Sequence, residues 1–62
     1  MTNQELKGKK IRMILMNDPN PIPHGVTGII THVDDIGQIH VNWDNGSKLA
    51  VIPDVDKFEI IY

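Results

Sequence analysis

The dominance of β-branched aliphatic residues most strongly limits what this chain can fold into. The 62-residue sequence contains ten isoleucines and five valines, but only three leucines and one alanine. Branched side chains pack well on pleated strands and lose rotamer freedom in helices. Five glycines and four prolines divide the chain into short pieces, as the turns between strands require. The composition therefore predicts a single all-β domain.

The length of the chain limits the size of its core. A domain of this size buries about 60% of its unfolded surface, and its core contributes roughly 3 to 5 kcal/mol to stability. Cysteine is absent, so neither disulfides nor thiolate metal ligands can supplement that core. No apolar run approaches the roughly 18 residues of a membrane-spanning helix, and the N-terminus has no hydrophobic signal segment. We expect a soluble cytoplasmic protein.

Alternating apolar positions, separated by turn residues, predict five strands. These are residues 9–16, 25–34, 38–43, 48–52 and 58–62. In the first strand, Ile11, Met13 and Leu15 are expected to share one face, opposite the basic residues. Residues 1–7 are expected to form a flexible lead-in, and residues 54–57 a single 3₁₀ turn.

The segment NDPNPIPHG, between the first two predicted strands, contains three alternating prolines. Proline fixes φ, lacks a backbone N–H and restricts the residue before it to extended conformations. We therefore predict an ordered, extended loop over this segment, which we call the proline loop (residues 17–25).

The stretch WDNGS contains the only tryptophan, Trp43, and determines how two strands pair. A three-residue loop with Gly46 in the left-handed conformation places Ile39 opposite Val51 and gives the two strands one shared apolar face. A two-residue turn gives no such face, and register follows the buried face. Trp43 continues the apolar face, so its indole is expected to cap the core.

The preceding corner, DDIG, fits a type I turn that begins at Asp34 and has Gly37 at its fourth position. That turn sets His32 directly opposite His40. Two imidazoles beside an aspartate are reminiscent of zinc ligands, but no third fixed ligand is evident and a bulge would break the pairing. The two residues, and His24 in the proline loop, are interpreted as exposed polar residues, and no metal or other cofactor is predicted.

No residue pattern indicates catalysis. The only serine, Ser47, follows a turn and has no base placed beside it by a known motif. The aspartates lie mostly at turns, where their side chains bind the backbone. A chain this short also has little room for an enclosed pocket. We do not expect an enzyme.

The charge is distributed unevenly along the chain. Residues 1–16 sum to +3 (four basic less one acidic), and residues 17–62 sum to −5 (two basic less seven acidic). The N-terminal positive charge forms a basic strip of Lys7, Lys9, Lys10 and Arg12. Such a strip could attract a polyanion. Alternatively, its lysines only protect an exposed strand edge, and this interpretation is favoured because nucleic-acid-binding domains usually carry a positive excess.

Over residues 8–60 the sequence resembles the uncharacterised family DUF4314. The most specific matches are DPNP at 18–21, Gly25 with Gly28, DDIG at 34–37 and WDNG at 43–46. His24 is a departure, because the family pattern has a further proline before the glycine. The resemblance implies a short protein of Gram-positive bacteria or their phages and mobile elements, and it implies no activity.

The pattern GxxG followed by GxIxVxWDxG is also similar to small SH3-like barrels, including KOW modules and the ligand-binding domains of Mib/Herc2-type proteins. The similarity implies a small five-stranded SH3-like barrel, in which the first long loop faces the hairpin tips across a groove. The residues that would line this groove are Asp18, Pro19, Asn20, Pro21, His24, Trp43, Asp44 and Asn45.

Three functions follow as hypotheses. The first is a non-enzymatic module that binds a protein partner through the proline loop and the Trp43 corner (residues 43–45). Folding alone also explains both features. The second is a nucleic-acid-binding, KOW-like barrel that uses the basic strip. The third is a weak homodimer built by pairing strand edges, as opposed to a monomer. We favour the protein-interaction module.

Overall fold

The computed structural model describes residues 4–62 and shows one antiparallel sheet. Its four strands are β1 (Lys10–Leu15), β2 (Thr27–Val33), β3 (Ile39–Trp43) and β4 (Lys57–Ile61). They lie in the order β3-β2-β1-β4, and every neighbouring pair is antiparallel. The prediction of an all-β domain is confirmed.

The segment predicted as a strand over residues 48–52 forms a single bridge instead. Ile39 and Val51 donate their backbone N–H groups to each other's carbonyls, at 2.9 and 2.8 Å. The Leu49 amide donates to the Ser47 hydroxyl, at 3.4 Å, and so does not continue the ladder. The sheet of the described residues is therefore open, and a five-stranded SH3-like barrel is not confirmed.

Helical structure in the described part of the chain is limited to one 3₁₀ turn, Gln4–Leu6. Leu6 packs against the core, and the Gly8 amide donates to the Ile30 carbonyl at 2.8 Å. Residues 4–7, expected to belong to a flexible lead-in, are thus attached to the sheet; the rest of that predicted segment, residues 1–3, lies outside the described residues. Within residues 4–62 no helix has the length and apolarity needed to cross a membrane.

The core lies on one face of the sheet and consists of aliphatic residues, two methionines and the tryptophan. Its buried members are Ile11, Met13, Met16, Ile22, Ile30, Val33, Ile39, Val41, Trp43 and Val51. In β3 the alternation is regular, with His40 and Asn42 on the opposite face. We call that opposite, solvent-facing side of the sheet the outer face.

A bulge in β1 changes which residues reach the core. The pairing with β4 shifts between Met13 and Leu15, so one residue, Ile14, is extra on the β1 side. Because the bulge interrupts the alternation, Leu15 turns outward and is 61% exposed, whereas Met16 is buried. The prediction that Leu15 shares the core face of Ile11 is therefore wrong.

A second bulge lies in β2, between Ile30 and His32. It allows Ile30 to pair with Val41, so that both side chains reach the core. On the turn side of the bulge the predicted register is kept, and His32 lies opposite His40. The pairing of these two histidines is confirmed, although a bulge is present.

The two hairpin turns follow the sequence prediction. At the first, the Gly37 amide donates to the Asp34 carbonyl at 3.0 Å; at the second, the Gly46 amide donates to the Trp43 carbonyl at 3.0 Å. Both glycines have positive φ, 87° and 89°, a conformation that costs other residues energy. The bridge at Val51 confirms the three-residue loop.

Candidate functional site

The indole of Trp43 belongs to the core and not to an exposed surface. The residue is 2% exposed, and its Nε1–H donates to the Leu49 carbonyl at 2.9 Å. A buried tryptophan needs such a partner for its N–H. The predicted core cap is confirmed. Trp43 therefore offers no exposed ring to a partner, and only Asp44 and Asn45 of the corner face solvent.

The exposed part of the Trp43 corner is held by local hydrogen bonds. The Thr27 hydroxyl donates to the Asp44 carboxylate, and the Asp44 amide donates to the Thr27 carbonyl at 2.9 Å. The side-chain carbonyl of Asn45 accepts the Ser47 amide at 3.0 Å. The corner is thus attached to β2, two residues beyond the end of the proline loop.

The proline loop is fixed in place while most of its side chains stay exposed. Ile22 is 3% exposed and anchors the middle of the loop in the core. Asp18 accepts the Asn20 amide at 2.9 Å, and the His24 Nδ1–H donates to the Ile14 carbonyl at 2.9 Å. At its start, the Asn17 amide donates to the Asp56 carboxylate at 3.0 Å. The exposed residues include Asp18, Pro19, Asn20, Pro21, Pro23 and His24.

The proline loop and the corner are neighbours without direct polar contact. Thr27, just after the loop, carries the hydrogen bonds to Asp44. Among the described residues, no hydrogen bond or ion pair links Asp18 or His24 to Asn45. The two segments lie at the same end of the sheet, after β1 and after β3.

The four side chains of the basic strip lie in different surroundings. Lys10 and Arg12 point to the outer face from β1, and the Arg12 guanidinium forms an ion pair with Glu59 on β4. The ammonium group of Lys9 lies 5.6 Å from the ring centre of Tyr62. Lys7 is exposed beside the 3₁₀ turn. Lys10 and Arg12 are both exposed, and within residues 4–62 Lys10 is the one of the two without an ion pair.

The outer face also carries a pair of stacked histidines. The rings of His32 and His40 have centroids 4.3 Å apart and are nearly parallel, at 6°. The His40 Nε2–H donates to the Asp34 carboxylate at 2.8 Å. Residues 4–62 contain no group of three or more His, Cys, Asp or Glu residues placed to hold a metal ion.

The carboxylate of Asp34 organises this turn. Its Oδ1 accepts the Ile36 and Gln38 amides, at 3.1 and 2.9 Å, and its Oδ2 accepts the His40 Nε2–H. The His40 hydrogen bond is the main cause that lowers the pKa of Asp34 below its ordinary value, and the two amides add to it, against a smaller opposing effect of partial burial. Asp34 thus stays ionised beside the histidine pair.

An open groove of about 310 Å³ lies beside the stacked rings. We call it the histidine groove; it is lined by Thr31, His32, His40, Val41, Asn42 and Lys48. None of these six residues was among the predicted site residues; His32 and His40 had been interpreted only as exposed polar residues. The alternation of β3 could have placed Asn42 beside His40, whereas Thr31 and His32 are both exposed because the β2 bulge interrupts the alternation between them.

The fold and these surfaces define a small, all-β domain with an open four-stranded sheet. The sequence matches the family described as Domain of unknown function (DUF4314) over residues 2–61. Because the match covers nearly the whole chain, this protein belongs to that family. Neither the curated proteins nor the solved structures include a significant match.

Proposed function

We propose that this protein is a non-enzymatic binding module that recognises a protein partner through the proline loop and the adjoining residues Asp44 and Asn45. The observation that carries the proposal is a loop whose centre, Ile22, is buried while its neighbours are exposed. A surface that is already ordered loses little conformational entropy on binding. Its prolines add to that rigidity.

The charge of the surface favours a partner segment with basic side chains. Residues 17–62 carry seven acidic and two basic residues, a sum of −5, and Asp18 and Asp44 are both exposed on this surface. Complementary charge raises the rate of encounter and excludes acidic partners. Asn20 and Asn45 add uncharged donors and acceptors for orientation.

The architecture we propose for this module is SH3-like. The order β3-β2-β1-β4, with the Val51 bridge beside β3, supports a fifth strand position next to β3. In that arrangement the loop before β2 and the turn after β3 lie at one end of the sheet. The hydrogen bonds between Thr27 and Asp44 support this placement.

The test is selection of peptides from a random library, followed by amide chemical-shift mapping of the strongest binder. We expect shifts in residues 18–24 and 44–45. The Asn20→Ala variant should weaken binding about tenfold, the loss of one or two hydrogen bonds, with unchanged stability because that side chain is exposed. Asn42→Ala, the same change on the outer face, is the matched control. Chemical-shift changes located elsewhere, or an equal loss of peptide affinity in Asn20→Ala and Asn42→Ala, would contradict the proposal.

A second candidate is nucleic-acid binding of the KOW-like type, through Lys7, Lys9, Lys10 and Arg12. The exposure of Lys10 on the open outer face favours it. We expect Lys10→Gln to weaken oligonucleotide binding, and the binding to fall steeply between low and physiological salt. Lys57→Gln on β4 is the control. The measurement is the fluorescence anisotropy of a labelled oligonucleotide. Binding that changes neither with salt nor with Lys10→Gln would exclude this candidate.

A further inference from the structure

The histidine groove contains hydrogen-bond donors that the fold does not use. Lys48 forms no ion pair with any residue from 4 to 62. Asn42 is exposed, and its side chain makes no hydrogen bond within that same range. Both residues line the groove together with His32. A cation and an amide that point into one open groove can serve a ligand that accepts hydrogen bonds.

The hydrogen bonds of Thr31 determine which nitrogen of His32 faces the groove unpartnered. The single hydroxyl proton of Thr31 is donated to the His40 carbonyl at 3.1 Å. The contact of 3.1 Å between that hydroxyl and His32 Nδ1 therefore requires Nδ1–H as the donor. The remaining nitrogen, Nε2, has no protein partner in the described part of the chain, and it accepts the proton that makes the ring cationic.

The stacking of the two rings limits how both can be charged. Their centroids are 4.3 Å apart, and two imidazolium ions at that distance repel each other. Asp34 supplies one negative charge, to His40. Of the other charged groups nearby, Asp35 is exposed in the same turn and Lys48 is positive. An anion in the groove would offset this repulsion.

We propose that the histidine groove binds a phosphate group, with His32 Nε2, Lys48 Nζ and the Asn42 amide as donors. A phosphate monoester carries between one and two negative charges near neutral pH and offers three acceptor oxygens. It therefore matches two cations and one neutral donor better than a carboxylate does. This site is separate from the protein-binding surface and from the basic strip. The group could come from free phosphate or a mononucleotide, whereas the phosphodiesters of a nucleic-acid backbone carry only one charge each and fit less well.

The linkage to protonation gives the site a specific signature. Histidine changes its charge between about pH 5 and 8, and the bound anion favours the charged form of His32. A phosphate monoester itself takes up a proton near pH 6, so the signature is a comparison of two proteins. As the pH falls from 7.5 to 6.0, the affinity of the unmodified protein should rise relative to that of the His32→Gln variant, which cannot gain this charge.

The experiment is an amide and imidazole ¹⁵N chemical-shift titration of the full chain with sodium phosphate, adenosine monophosphate and a short single-stranded oligonucleotide. We expect saturable shifts at Thr31, His32, Asn42 and Lys48, with a dissociation constant on the order of 1 mM for the small ligands, as so few ligand atoms allow. Lys48→Gln should weaken binding about tenfold. Lys57→Gln, which removes the same charge from β4, and His24→Gln, which removes an imidazole from the proline loop, should not.

The titrations with the three ligands test the proposal. Groove shifts that depend on Lys48 with any of the three ligands support it, and the tightest ligand identifies the source of the phosphate. The absence of saturable groove shifts with all three ligands at pH 6.0 would overturn it. So would binding that Lys48→Gln and His32→Gln leave unchanged. None of these results depends on whether the proline loop binds a peptide.

Discussion

At the scale of single residues, Gly28 shows the tightest steric requirement in the sheet. A Cβ at this position would lie 2.7 Å from Val41 Cγ1, 2.8 Å from the Asn42 carbonyl oxygen and 2.9 Å from the Trp43 Cα. Two of these three atoms belong to the backbone of β3, which cannot rotate away. The close approach of β2 to β3 therefore depends on the missing side chain.

Gly28→Ala should destabilise the fold by about 1 to 3 kcal/mol, the usual cost of inserting a methyl group into a packed site. Urea unfolding followed by tryptophan fluorescence measures it. Gly37→Ala is the comparison, because its added methyl group meets nothing within 4 Å and the positive φ of 87° is its only cost. An unchanged midpoint for Gly28→Ala would show that the two strands are farther apart than described.

At the scale of elements, the β1 bulge determines which side chains stabilise the sheet. Leu15→Ala should change the free energy of unfolding by no more than about 0.5 kcal/mol, because this side chain is 61% exposed. Met16→Ala should cost about 2 kcal/mol or more, since Met16 is buried and its sulfur accepts the Ile22 amide. Denaturant titrations of both variants test this. If Leu15→Ala instead lowered the free energy of unfolding more than Met16→Ala, β1 would alternate without a bulge.

The turn between β2 and β3 should contribute to the dependence of stability on pH. The pKa of Asp34 is lowered in the folded protein, mainly by the His40 hydrogen bond. Its ionised form therefore stabilises the fold above the ordinary carboxyl pKa of 3.8, and this contribution is lost as the pH falls through the lower folded value. Asp34→Asn should lower the unfolding midpoint at pH 6, and the difference from the unmodified protein should shrink below about pH 3.

Asp35→Asn is the matched control for this turn, because Asp35 is exposed and its carboxylate makes no hydrogen bond within residues 4–62. Urea midpoints measured between pH 7 and pH 2.5 compare the three proteins. A difference between Asp34→Asn and the unmodified protein that stays constant over this range would show that the charge of Asp34 is unimportant.

At the scale of the whole molecule, the open side of the sheet lies beside β3. Val51 is fully buried and exchanges two hydrogen bonds with Ile39, whereas the Leu49 amide reaches only the Ser47 hydroxyl. Amide hydrogen exchange should therefore be at least about tenfold faster at Leu49 than at Val51, because a hydrogen bond near the surface opens more easily. Equal protection of the two amides would indicate a complete fifth strand beside β3.

Local patterns were sufficient for most of the hairpin predictions. Gly37 and Gly46 adopt positive φ where turn chemistry required it, and Ile39 pairs with Val51 as the shared apolar face predicted. The opposition of His32 and His40 followed from the same reasoning. These features depend on residues close together in the sequence, so their physical causes can be read from it.

The candidate sites were less accessible to sequence reasoning. The proline loop is ordered and exposed, as predicted, but the tryptophan assigned to the same surface is buried. The groove beside the stacked histidines depends on Thr31 and His32, which are both exposed at the β2 bulge, and on Lys48, which belongs to a segment outside the ladder. Neither feature follows from an alternating pattern.

The sequence by itself determined the all-β class, the turn positions and the hairpin register, because branched side chains, positive-φ glycines and alternating faces act over a few residues. Only the tertiary structure decided the two bulges, the exposure of Leu15 and the reduction of residues 48–52 to one bridge. Those features depend on which side chains fill a core shared by distant segments, such as those of Met16, Ile22 and Trp43. A single inserted residue reverses every later side chain in a strand, and only the packed core selects where it falls.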